Sequence, residues 1–226
     1  MDPLTQQILE QLKAMANPAN VAGMARYGIN PHNTLGVSMP SLRAIARREK
    51  PNHGLALQLW ESGVHEARIL AALVADPKLV NEELMERWVI DFDSWDVCDQ
   101  VCSNLFDKTP LAYPKAIEWG GRQEAYVKRA GFVLMAALAV HDKRASDQEF
   151  ESFFPVILRE SCDERNFVKK AVNWALRGIG KRNMALNAQA IQLSQQIAEL
   201  DSRTARWIAR DALKELTSNK IQARLG

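Results

Sequence analysis

Apolar residues recur at spacings of three and four along nearly the whole chain, and runs of period-two alternation are absent. Spacings of three and four put side chains on one face of a helix, whereas a half-buried strand needs a period of two. The pattern predicts helices over 4–16, 40–50, 54–62, 65–75, 81–91, 95–106, 111–119, 123–140, 147–161, 165–180, 184–199 and 202–217. Punctuation falls between them at Asn17-Pro18, Asn30-Pro31, Asp76-Pro77, Thr109-Pro110 and Gly120-Gly121, where proline lacks an amide donor and glycine favours turns. Asn81 before Glu82 and Glu83, and Ser38 before Pro40, read as helix starts, since a polar cap answers the first free amides. The fold class is all-α.

The helices also echo one another. Arg68-Ile-Leu-Ala-Ala-Leu, Arg129-Ala-Gly-Phe-Val-Leu, Lys170-Ala-Val-Asn-Trp-Ala-Leu and Arg210-Asp-Ala-Leu-Lys-Glu-Leu each place a charge early in a small-apolar helix, and Asp99-Gln-Val-Cys-Ser-Asn-Leu falls between the first two. The offsets of about 30 to 41 residues match paired-helix repeats, whose apolar faces are buried only by stacking on neighbours. The expectation is an α-solenoid over 1–226, a single domain with a concave basic groove. In that register Arg68, Asp99, Arg129, Lys170 and Arg210 begin successive inner helices and line one surface.

The net charge of +2 is unevenly spread. Residues 1–60 carry six basic and three acidic side chains, 61–118 five and twelve, 122–182 twelve and eight, and 183–226 six and four. A polyanion would therefore meet the first quarter and the second half. No apolar run reaches the length of a membrane helix, and Met1-Asp-Pro-Leu-Thr-Gln-Gln lacks the order of a signal peptide. The expected location is cytoplasmic. Cys98, Cys102 and Cys162 show no Cys-x-x-Cys spacing and read as free thiols, the first two in a core.

Two segments carry candidate chemistry. In Asp91-Phe-Asp-Ser-Trp-Asp-Val-Cys-Asp-Gln100, Trp95 and Asp99 stand four residues apart and share a helix face. In Phe167-Val-Lys-Lys-Ala-Val-Asn-Trp-Ala-Leu-Arg177, Trp174 shares a helix with Lys169, Lys170 and Arg177. A carboxylate beside indoles, near many cations, suits a cationic reacting centre on a polyanion. The same residues also admit plainer roles: Trp95 as a core aromatic, Asp99 as a cap or ion-pair member, Arg129 and Lys170 as solvated surface. Trp60, Trp88, Trp119 and Trp207 are assigned to packing, and His65 to a helix start. Gly178-Ile-Gly-Lys-Arg lacks the phosphate-loop spacing and reads as a helix end with a basic turn able to touch a phosphate.

Several of these stretches together resemble the HEAT-like DNA alkylation-repair family, the AlkD-type alkylpurine DNA glycosylases. The resemblance runs from about Met24 to Leu216. It is carried by Met24-Ala-Arg-Tyr-Gly-Ile, Leu35-Gly-Val-Ser-Met-Pro, His65-Glu-Ala-Arg68, Ser94-Trp-Asp-Val-Cys-Asp99, Tyr126-Val-Lys-Arg-Ala130 and Phe167 to Arg177. It implies a solenoid that wraps duplex DNA and releases N3- or N7-alkylated purines by hydrolysis, as a monomer with no metal or organic cofactor. It implies that Asp99 is the catalytic carboxylate, that Trp95, Trp174 and Tyr27 contact the lesion, and that Arg129 contacts DNA. Lys169, Lys170, Arg177 and Ser38 complete the expected DNA-binding set, although the family's early loop often has glutamine where this chain has Ser38. Two other readings stay open: a DNA-binding solenoid without excision, and a protein-interaction scaffold.

Overall fold

The computed structural model describes residues 1–226, which form two compact all-helical units, Met1–Thr109 and Pro110–Gly226. The first contains α1 (Pro3–Ala14), α2 (Pro18–Arg26), α3 (Met39–Glu49), α4 (His53–Glu61), α5 (His65–Val74), α6 (Glu82–Ile90) and α7 (Trp95–Asn104), with 3-10 turns at Pro77–Leu79 and Phe106–Lys108. Helices α3, α5 and α7 pack side by side, and α4 backs onto α5. This layering follows from the small residues of α5, whose Ala67, Ala71 and Ala72 are buried and let helices approach closely. The core behind them is aromatic: Trp60 and Trp88 stack with centroids 4.1 Å apart, and Phe92 meets Trp60 edge-on at 6.1 Å.

The second unit contains α8 (Ala112–Gly120), α9 (Ala125–His141), α10 (Asp147–Glu151), α11 (Phe154–Glu160), α12 (Asn166–Ile179), α13 (Met184–Ala198), α14 (Arg203–Leu216) and α15 (Asn219–Leu225). Its axis is α9, buried continuously from Val127 to Ala139, as expected of a helix apolar all round. Helices α8 and α12 pack against α9, and α14 packs against α12 with α13 behind it. Gly131 is required at the α8–α9 crossing, because a Cβ there would lie 2.3 Å from the Gly120 nitrogen. Lys128, also on α9, is buried between Glu160 at 2.5 Å and Asp163 at 3.3 Å. Burial alone would raise both carboxyl pKa values. The cations beside them, Lys128 with Arg159 at Glu160 and Arg165 with Lys128 at Asp163, outweigh it and hold both below the ordinary range.

The helix pairs and their order agree with the periodicity, and no helix is long and apolar enough to cross a membrane. Three elements differ from the sequence reading. Helix α2 was outside the predicted set because it buries no side chain fully and shows no apolar face; Asn17 caps it and Pro18 opens it. The segment predicted as one helix over 147–161 is two, since Pro155 stands near the start of α11 and cannot donate into a continuing helix. The terminal α15 is short and anchored by one buried residue, Ile221.

Candidate functional site

Helix α7 starts where the chain from α2 returns to it. Ser94 is fully buried and its hydroxyl accepts from the Asn30 amide at 2.8 Å, while Asn30 Nδ2 donates to Asp93 at 2.7 Å. Trp95 is the first helical residue, and its indole Nε1 donates to the Tyr27 carbonyl at 3.1 Å. Tyr27 ends α2 with its ring largely exposed. Asp99 follows one turn after Trp95 on the same face, and both are half-buried. Cys98 and Cys102 point the other way, into the core, where burial pushes the Cys102 thiol well up.

Beside this face lies a cleft of about 620 Å³ within the first unit. Its wall is apolar, with Met24, Ile29, Val37, Met39, Leu42 and Ile69, and it includes Tyr27 and Trp95. On the α5 side, His65 Nε2 meets Asp96 Oδ2 at 2.9 Å. Burial works against the imidazolium, but the Asp96 hydrogen bond and charge outweigh it and raise the His65 pKa. The neighbouring Glu66 is buried and accepts three backbone amides, from Leu35 at 2.9 Å, Gly36 at 2.6 Å and Val37 at 3.2 Å. Gly36 needs to be glycine: its φ is +77°, and a Cβ would lie 2.3 Å from the Asn17 carbonyl. Ser38 closes this loop as the cap of α3, accepting from the Ser41 amide at 3.4 Å.

In the second unit Trp174 is half-buried on α12. It lines a second cleft, about 630 Å³, with Lys143, Lys181, Arg182 and Arg224 against a single carboxylate, Asp147. Asn183 holds Asp147 at 2.7 Å, and Lys181 pairs with Glu215 at 2.8 Å. Arg182 donates to the Ala139 carbonyl at 2.8 Å with its guanidinium 3.9 Å above the Phe150 ring. Gly180 ends α12 against Ala190 and Leu216, so the basic turn expected after this helix is present.

The remaining predicted cations are unequal. Lys170 is exposed. Lys169 sits 5.4 Å above the Trp207 ring, so Trp207 is a half-buried platform for a cation in addition to a packing residue. Trp60, Trp88 and Trp119 are fully buried, as expected. Arg177 is engaged by Glu215 at 2.8 Å and Asp211 at 3.4 Å. Arg129 is only 6% exposed and donates to the Phe167 carbonyl at 2.5 Å, which ties α9 to the start of α12. Arg68 is likewise turned inward, over Trp60 at 5.3 Å and onto the Asp91 carbonyl at 3.0 Å.

The profile of the DNA alkylation repair enzyme family matches residues 8–216. The chain belongs to that family. A solved structure with 19% identity and a TM-score of 0.82, covering 100% of this chain and 97% of its own, has the same fold. It is described as representing a new family of proteins related to the HEAT-like repeat DNA glycosylases with affinity for branched DNA structures. Two uncharacterized proteins, from Listeria innocua and Listeria monocytogenes, are 29% and 32% identical over 117 residues, 50% of this chain in each case. The chain spans about half the length of these relatives, 52% of each.

The family's motifs gain a structural reason here. Leu35-Gly-Val and His65-Glu66 are two halves of one latch, made by the Glu66 carboxylate. Sequence reasoning left three features unassigned: the His65–Asp96 pair, the acceptor role of Glu66, and the place of Lys143 and Arg224 beside the basic turn of Lys181 and Arg182. Asp96, one turn before the end of the Trp-x-x-x-Asp motif, was the available signal for the first.

Proposed function

We propose that this protein is a DNA glycosylase that hydrolyses the glycosidic bond of cationic, N3- or N7-alkylated purines in duplex DNA. The observation that carries the reading is the pairing of Asp99 with Trp95, half-buried one turn apart on α7, in a member of the DNA alkylation repair enzyme family. A purine alkylated at N3 or N7 already bears positive charge, so it leaves as a neutral base once the bond to C1′ breaks. The sugar left behind is oxocarbenium-like. Asp99, as the carboxylate, stabilises that charge and orients the water that adds to C1′, taking its proton on the way to solvent. Trp95 offers a π-face to the cationic base, worth roughly 0.5–2 kcal/mol depending on desolvation.

Phosphates are held in the second unit. Lys169, Lys170 and the cations around Trp174 supply the charge, which sets affinity and position without lesion identity. The test is release of free base from a duplex bearing one 7-methylguanine, wild type beside Asp99→Asn. Release by wild type alone supports the assignment; equal release by both removes Asp99 from the mechanism.

A second reading, binding without excision, is favoured by the related structure whose family is described by affinity for branched DNA. It predicts salt-dependent binding to duplex and junction DNA with no base release by either protein.

A further inference from the structure

We infer that the second unit carries a track for single-stranded DNA along α14, with phosphates on Arg203, Arg210 and Lys214 and one unpaired base stacked on Trp207. Residues 203, 207, 210 and 214 recur at spacings of four, three and four, so they form one stripe along the helix. At a rise of about 1.5 Å per residue the stripe is roughly 16 Å long. Arg203, Arg210 and Lys214 are exposed and Trp207 is half-buried. Lys169 of α12 lies over the indole, and the exposed Lys170 follows it in the chain.

None of these cations pairs with a carboxylate. The acidic side chains of α14, Asp211 and Glu215, are turned to α12. There Asn173 and Arg177 hold Asp211 at 2.6 and 3.4 Å, and Arg177 and Lys181 each hold Glu215 at 2.8 Å. The remaining cation of the helix, Arg206, meets Asp201 at 3.4 Å. The stripe is thus cationic without internal compensation. Arg203 is also the first residue of α14, at the positive pole of its helix, where a cation is unfavourable unless an anion joins it. A polyanion answers both conditions. The indole narrows the class: carboxylates or lipid phosphates alone leave its face unused, and a base inside a duplex has both faces covered by its neighbours. An unpaired base on a phosphate backbone fits ring and cations together.

Lys169 Nζ lies 5.4 Å from the Trp207 ring centroid. An exposed cation–π contact shifts an equilibrium by about two- to fivefold, whereas stacking a base on an aromatic ring is worth about fivefold or more. The base therefore displaces the ammonium, which its flexible stem carries to the adjoining phosphate. This track rests on the DNA-binding reading above and adds an unpaired strand to it, with no part for Asp99.

The experiment is fluorescence anisotropy with two labelled single strands of about ten nucleotides, oligothymidylate and its abasic counterpart, equal in charge but not in bases. Wild type is expected to bind the thymidylate about fivefold more tightly, with a quench of tryptophan fluorescence. Trp207→Ala is expected to erase the preference, and Trp207→Phe to keep most of it while losing the quench. Thermal midpoints near that of wild type check that both variants are folded. The double change Arg203→Gln, Arg210→Gln lies on the exposed surface and carries the test if the alanine variant does not fold. It is expected to lower the salt slope by about 1.4, two phosphates at about 0.7 each on a single strand, while Arg203→Lys, Arg210→Lys keeps the slope. Binding of neither strand, equal binding of both by wild type, a preference that survives in Trp207→Ala, or an unchanged slope in the glutamine pair overturns the inference. Equally tight binding of polyglutamate of the same charge also overturns it, in favour of an acidic protein partner. Base release from the 7-methylguanine duplex is read in parallel. Absence of release with the strand preference intact removes the glycosylase reading alone, and release without the preference removes this one alone.

Discussion

Replacing Glu66 should be among the most damaging single changes in the first unit, and its size can be worked from the hydrogen bonds. The carboxylate is 1% exposed, and its two oxygens divide three amides: Oε1 takes Gly36 and Val37, Oε2 takes Leu35. Glu66→Ala leaves the Gly36 and Val37 amides dry, at about 1–3 kcal/mol each, while Leu35 is partly reached by water. The expected loss is about 4 kcal/mol, a large part of the roughly 5–15 kcal/mol of a typical domain. Glu66→Gln keeps a carbonyl oxygen for Gly36 and Val37 and turns an amide toward the Leu35 N–H, so it should lose about 1–2 kcal/mol. Urea unfolding with an unchanged m-value measures both, and hydrogen exchange at Gly36 and Val37 should accelerate in the alanine variant only. A Glu66→Ala loss below about 1 kcal/mol, or equal losses for Ala and Gln, would refute the claim that these bonds hold the Leu35–Val37 loop.

Other expectations follow from the same reasoning. The His65–Asp96 pair should make stability depend on pH: with the folded His65 pKa raised above 6.5, its contribution is complete below pH 6.5 and is lost as pH rises through the folded value. Thermal midpoints taken across that window should fall with rising pH in wild type and flatten in His65→Gln. Lys128→Met should cost about 3–5 kcal/mol, because it leaves Glu160 and Asp163 facing one another with less cation; the loss should shrink in acid as those carboxyls, held below 4.5 and 3.8, become protonated, which pH-dependent urea unfolding would detect. The double change Lys169→Ala, Lys170→Ala should reduce the salt slope of duplex binding by about 2 if both touch phosphate, and an unchanged slope in fluorescence anisotropy would place them away from it.

Much of this protein could be read from the chain because helices announce themselves locally. The spacing of apolar residues marked α5 as 65–75 where the structure has His65–Val74, and α13 as 184–199 where it has Met184–Ala198. Helix α2 escaped because its sequence, Pro-Ala-Asn-Val-Ala-Gly-Met-Ala-Arg, shows no apolar face. The candidate site was legible to the same extent: Trp95 and Asp99 share a face by arithmetic. Arg129 and Arg68 looked like surface cations, yet each is turned inward, because carbonyls at Phe167 and Asp91 stand where their guanidinium groups can donate.

Local periodicity, capping residues and the order of the family's motifs were thus determined by the sequence alone, since each depends on residues within a few turns of one another. Pairings across longer distances were decided only in three dimensions. His65 meets Asp96 across 31 positions, and Glu66 meets Gly36 across 30. Whether a given carboxylate is occupied, like Glu66, or left with an unpartnered oxygen, like Asp96, depends on which backbone and side-chain donors the packing of the Leu35–Val37 loop, α5 and α7 brings within hydrogen-bonding distance. Hydrogen bonds are short and directional, so that outcome is settled by tertiary geometry.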